Sequence, residues 1–93
     1  MFMDFNQIES VLAVAKYRNF TRAASEVHVS QSSLSQQILK LEKELGVRLF
    51  QRTTRSVSIT PAGTAFVKHA ERILDERAQV LRAIKQYAIA AQS

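Results

Sequence analysis

From Thr60-Pro61 to about Ala90 the chain meets no helix breaker except Gly63, close to the start of the run. A helix of about 30 residues spans roughly 45 Å, more than a small domain needs to cover its core. Thr60 is a natural N-cap, and Pro61 suits the first helical position, where its missing N–H leaves no bond unmade. Phe66, Ile73, Val80 and Tyr87 recur every seven residues, joined by Ala70, Leu74, Leu81, Ile84 and Ala88. That apolar stripe outlasts any core the preceding residues can offer. Its distal half is therefore expected to pack on another chain or another domain.

The chain has 93 residues, enough for one domain with one modest core, and 46% of them are hydrophobic, which suits a folded protein. Two Gly and one Pro favour long helices over a turn-rich β fold. With no Cys, neither a disulfide framework nor a Cys-based zinc site is possible, and a reducing cytoplasm fits. No apolar run approaches the roughly 20 residues of a membrane span. Asp4 and Glu9 fall where a signal peptide would have to be uncharged, so none is expected. His28 and His69 have no second ligand at metal-binding spacing, no Ser has a base partner placed by a motif, and there is no Gly-rich phosphate loop. Neither an enzyme nor a metal protein is expected.

The residues before Thr60 divide into short elements. Asp4 caps a first helix reaching Tyr17, with Phe5, Ile8, Leu12 and Ala15 at helical spacing and Val11 and Val14 widening the stripe. Thr21 is taken as the N-cap of a short second helix ending near Val27, where Ala23 and Ala24 permit close approach of a partner helix. Val27-His28-Val29 reads as a tight turn. Ser30 caps a third helix, in which Leu34, Ile38, Leu41 and Leu45 form one buried stripe, and Gly46 ends it in the left-handed conformation. Glu42, Lys43 and Glu44 read as an ordinary charged face. Val47, Leu49 and Phe50, a polar tip Arg52-Thr53-Thr54-Arg55-Ser56, and then Val57 and Ile59 predict a β hairpin with a longer loop.

Charge and chemistry point the same way. The net charge is +5, and between Leu45 and Ala70 there is no acidic residue, while Arg48, Arg52, Arg55 and Lys68 all occur. Such a patch suits a polyanion. The third helix opens on Gln31, Ser32, Ser35 and Gln36, small uncharged polar side chains that suit neither a core nor a plain solvated face. They do suit hydrogen bonding to base edges. Helix, helix-turn-helix, basic hairpin and long helix together give a mainly α fold. It is a winged helix-turn-helix of three helices plus a two-stranded wing over residues 1–60, followed by a dimerisation helix over 61–93.

In Phe20-Thr21-Arg22-Ala23-Ala24, Val29-Ser30-Gln31, Leu34-Ser35-Gln36-Gln37-Ile38, Leu41-Glu42-Lys43-Glu44-Leu45-Gly46, Val47-Arg48-Leu49-Phe50-Gln51-Arg52 and Ile59-Thr60-Pro61-Ala62-Gly63, the chain resembles the N-terminal part of LysR-type transcriptional regulators. The likeness runs in order through about residues 4 to 90. It implies a bacterial regulator, homodimeric and possibly tetrameric at full length, bound to interrupted inverted repeats in double-stranded DNA. It also implies a larger C-terminal domain, absent from this chain, that senses a small-molecule co-inducer; no cofactor is expected in the portion present. The chain then reads as the DNA-binding half of a cytoplasmic regulator.

With the resemblance, roles can be assigned. Gln31, Ser32, Ser35 and Gln36 are taken as base contacts in the major groove, with Arg55 at the wing tip entering the minor groove. Thr21, Arg22, Ser30, Ser33, Lys40, Arg52 and Thr53 are assigned to the DNA backbone, although Arg52 also suits an intramolecular carboxylate and Thr21 suits capping alone. Dimerisation is assigned to Phe66, Ala70, Ile73, Leu74, Val80, Leu81, Ile84 and Tyr87. Many relatives carry Pro where this chain has Ser32, and Arg where it has Gln36. Gln pairs with adenine N6 and N7 where Arg pairs with guanine, so a shift in preference from G toward A is expected at Gln36. Two other readings stand beside this one: a nonspecific or architectural winged-helix binder using Arg52, Arg55 and Lys68, and a helix-mediated protein-interaction module.

Overall fold

A computed structural model describes residues 3–92. Its elements are α1 (Phe5–Tyr17), α2 (Phe20–Glu26), α3 (Gln31–Leu45), β1 (Phe50–Arg52), β2 (Val57–Ile59) and α4 (Pro61–Gln92). Three short helices and a two-stranded antiparallel wing form a body from which the long helix projects, and the molecule measures 58 × 25 × 21 Å.

Local chemistry sets each boundary. The Asp4 carboxylate accepts from Gln7 N at 2.8 Å, and the Gln7 side chain returns a bond to Asp4 N, a full capping box. Arg18 ends α1 in the left-handed region at φ 49°, donating its N–H to Val14 O. The expected N-cap of α2 is corrected: Asn19, not Thr21, holds the position, its side chain accepting from Arg22 N at 2.9 Å. Asn19 is extended and the ring of Phe20, next in line, is buried, so the helix starts where that anchor seats. Thr21 falls within the first turn. His28 makes the turn between α2 and α3 at φ 61°, with Val27 and Val29 packed on either side of it. Ser30 caps α3, accepting from Ser33 N, and Gly46 closes it at φ 74°.

The core joins Val11 and Val14 of α1, Phe20, Ala23 and Ala24 of α2, Leu34, Ile38 and Leu41 of α3, and Leu49 and Phe50 at the base of the wing. Ala23 is wholly buried, as a close α2–α3 approach requires. Phe20 and Phe50 meet edge-to-face with centroids 6.4 Å apart. Phe5, expected in the core, is instead 44% exposed, lying beside α4 with the Arg77 guanidinium 4.7 Å from the centre of its ring.

In the wing, Phe50 pairs with Ile59, Gln51 with Ser58 and Arg52 with Val57. Arg52 is thus a strand residue rather than part of the tip. The Thr53 hydroxyl organises the connection, accepting from Arg55 N and Ser56 N. Thr60 links the wing to α4. Its hydroxyl donates to Arg48 O at 2.6 Å and accepts from Gly63 N, while its own N–H donates to Leu49 O. Ala62, Phe66 and Val67 then pack on the core, and Ala70 is buried, so the body continues past residue 60 into the first turns of α4. Among the described residues, no helix is long and apolar enough to cross a membrane.

Candidate nucleic-acid interface

The outer side of α3 is built by the phase of its buried stripe. With Leu34, Ile38 and Leu41 turned inward, Gln31, Ser32 and Gln36 are exposed and Ser35 is half-buried at the edge. The Ser30 and Ser32 hydroxyls lie 3.3 Å apart on the first turn, and Ser33 is half-buried beside them, its N–H held by the Ser30 cap.

Two neighbouring elements complete a concave polar surface. The start of α2, the N-terminal half of α3 and the wing line one groove, which brings together Thr21, Gln31, Ser35, Arg52, Thr53 and Arg55. Lys40 and Gln36 are exposed outside that lining, and Arg22 is exposed on α2 with its guanidinium 4.7 Å from the centre of the Tyr17 ring. Lys16 approaches the same ring at 5.2 Å, so Tyr17 gathers two cations beside the groove. No acidic residue lines the groove.

Inside it the side chains are already engaged with one another. Thr21 Oγ1 donates to Gln31 Oε1 at 3.1 Å. The Arg52 guanidinium lies 4.2 Å from the centre of the Phe20 ring and donates to Ser35 Oγ at 3.4 Å. The carboxylate expected as an internal partner of Arg52 is therefore replaced by a ring and a hydroxyl. Arg55 stands exposed at the tip of the wing.

The structure also places a residue that spacing alone misread. Glu42, expected on a charged face, is 4% exposed, and its Oε2 accepts from Leu49 N at 2.7 Å and Phe50 N at 3.2 Å. Arg48 Nε approaches the same oxygen at 3.5 Å, and Oε1 is buried without a partner among the described residues. This carboxylate of α3 holds the base of the wing. The signal was its phase, four residues past Ile38 and one past Leu41, which outweighs its charge.

The residues assigned to dimerisation separate into two groups. Ala70 is buried and Phe66 half-buried against their own chain, because α4 needs its first turns to close the core. Leu74 is half-buried and Ile73 38% exposed at the margin. Val80, Leu81, Ile84 and Tyr87 are 52–74% exposed along the projecting half. His69 lines an apolar hollow with Ile8, Leu45, Phe66 and Ile73, and no cluster of metal-ligating side chains occurs among the described residues.

Comparison with known proteins agrees with this architecture. Residues 5–64 match the family model described as "Bacterial regulatory helix-turn-helix protein, lysR family". The chain is 44% identical over 84 residues to the uncharacterized HTH-type transcriptional regulator YcgK of Bacillus subtilis (strain 168), covering 90% of this chain and 26% of that protein. It is 49% identical over 74 residues to the DNA-binding transcriptional dual regulator OxyR of Escherichia coli (strain K12), covering 80% of this chain and 24% of that protein. It thus spans about a quarter of the length of these relatives. Among solved structures it is similar to the CbnR DNA-binding domain in complex with DNA (TM-score 0.87, 37% identity, 92% of this chain and 99% of that one). It is also similar to the BenM DNA-binding domain on benA site 1 DNA (TM-score 0.88, 35% identity, 92% of this chain and 97% of that one).

Proposed function

Because the chain belongs to the lysR family of bacterial regulatory helix-turn-helix proteins, we propose that it is the part of a transcription regulator that reads DNA by sequence. In this reading α3 enters the major groove, with Gln31, Ser32, Ser35 and Gln36 toward base edges. Arg55 at the wing tip enters the flanking minor groove, and Arg22, Lys40 and the hydroxyls of Ser30 and Ser33 at the start of α3 meet phosphate. The single observation that carries it is the continuous, acid-free polar groove formed by α2, α3 and the wing. The DNA complexes of similar domains support it. The exposed apolar half of α4 supports a homodimer on an inverted repeat. Work in the bacterial cytoplasm, with no catalytic step and no cofactor in this portion, completes the reading; a small-molecule co-inducer belongs to a separate effector domain.

Phosphate contacts impose a steep salt dependence. A complex with about six of them loses about 10³-fold in affinity between roughly 50 and 200 mM salt. Anisotropy titrations of random duplex against salt should show that slope, and selection of bound duplexes should return an inverted repeat. Dimerisation without DNA affinity at low salt would leave a protein-interaction module instead, and binding without any selected motif would leave an architectural protein. Selection with Gln36→Arg should move one position from A toward G; an unchanged motif would refute the assignment of Gln36.

A further inference from the structure

A glutamine facing a DNA groove has two edges, since Oε1 accepts hydrogen bonds and Nε2 donates them. In this chain the acceptor is turned inward. Thr21 Oγ1, on the first turn of α2, donates to Gln31 Oε1 at 3.1 Å, which leaves the amide nitrogen as the edge with no partner among the described residues. One helical turn later the same arrangement recurs. Arg52 donates to Ser35 Oγ at 3.4 Å, and because a guanidinium has no acceptor, the serine keeps its own O–H proton to give elsewhere. Arg52 is in turn steadied against the ring of Phe20, the neighbour of Thr21. One short segment of α2 thus braces two successive outward side chains of α3. Gln36 has no such partner among the described residues and keeps both edges, as pairing with adenine requires.

We propose that Thr21 and Arg52 are specificity-determining positioning residues: by drawing the acceptor atoms of Gln31 and Ser35 inward, they turn both side chains toward DNA as hydrogen-bond donors. Donors select bases that present acceptors in the major groove. Guanine offers N7 and O6 and ranks first, thymine offers O4, adenine pairs an acceptor with a competing donor, and cytosine offers only its N4 donor. The one hydroxyl proton of Thr21 is committed to Gln31, so Thr21 cannot donate to a phosphate at the same time. The proposal rests on α3 being the base-reading helix.

The test is selection of bound duplexes by the whole chain and four variants. Gln31→Ala identifies the base pair that Gln31 reads, as the position whose preference disappears. There the wild type should prefer guanine, then thymine, over cytosine. Thr21→Val keeps the branched shape at an exposed position and removes the hydroxyl; it should cut that preference about tenfold, leaving other positions and the salt slope unchanged. Thr21→Ser should restore it. Arg52→Lys keeps the charge but not the planar fork, and it should relax the neighbouring position read by Ser35. A wild-type motif from Thr21→Val, a wild-type preference for adenine or cytosine at the Gln31 position, or an equal loss on all duplexes would each overturn the proposal. An unchanged motif from Arg52→Lys would overturn its Arg52 half. A wild-type selection with no motif would instead bring down the base-reading function itself.

Discussion

Glu42 shows what one side chain does when its position and its chemistry disagree. A carboxylate is costly to bury, yet this one is 4% exposed and accepts two backbone N–H groups at the root of the wing. Those N–H groups enter β1 where the strand ladder does not yet serve them, and Glu42 stands in for the missing strand. Glu42→Ala would leave both donors buried without an acceptor, at a cost of about 2–4 kcal/mol in urea unfolding. Glu42→Gln keeps one acceptor oxygen and should lose less than half of that. Equal losses in the two variants would mean that a neutral acceptor oxygen does not replace the carboxylate; no loss in Glu42→Gln beside a full loss in Glu42→Ala would leave volume as the whole effect.

At the scale of elements, the wing and α4 are welded at Gly63. A Cβ there would sit 2.6 Å from Ile59 Cγ1 and closer still to the backbone oxygen of Leu49. Thr60 ties the same junction from the other side, bonding Arg48 O and capping the helix with one hydroxyl. Within a helix, alanine is ordinarily favoured over glycine by about 1 kcal/mol. Here the contact reverses the sign. Gly63→Ala should destabilise the chain by about 1–3 kcal/mol, because the Leu49 backbone cannot yield without shifting the wing. Stabilisation on denaturant unfolding would show that the junction is looser than its geometry.

For the whole molecule, the decisive fact is that α4 serves two purposes along its length. Phe66, Val67 and Ala70 close the core of their own chain, whereas Val80, Leu81, Ile84 and Tyr87 stand in the open beyond it. In the homodimer proposed above, burying each such aliphatic side chain against a second copy would contribute about 1.5–3 kcal/mol. The double variant Leu81→Glu with Ile84→Glu should sediment as a monomer with its helix content intact. It should also keep affinity for a single half-site while losing the gain from the inverted repeat. A stable dimer in that variant would place the intersubunit contact elsewhere.

The order of elements, the caps at Asp4, Ser30, Gly46 and Thr60, the phase of α3 and the outward set Gln31, Ser32 and Gln36 are all legible in the order of residues along the chain. These follow from local rules, namely side-chain periodicity and the few residues able to satisfy a helix end. The rest came from packing between distant segments. Asn19 replaced Thr21 as a cap because Phe20 seats in a core built by distant residues. Phe5 left the core and Phe66 and Ala70 entered it because the docking of α4 sets which faces are covered. Glu42 became buried, and Thr21 and Arg52 came to hold Gln31 and Ser35, because those pairings depend on how α2, α3 and the first strand of the wing pack on one another. No spacing along the sequence encodes that distance.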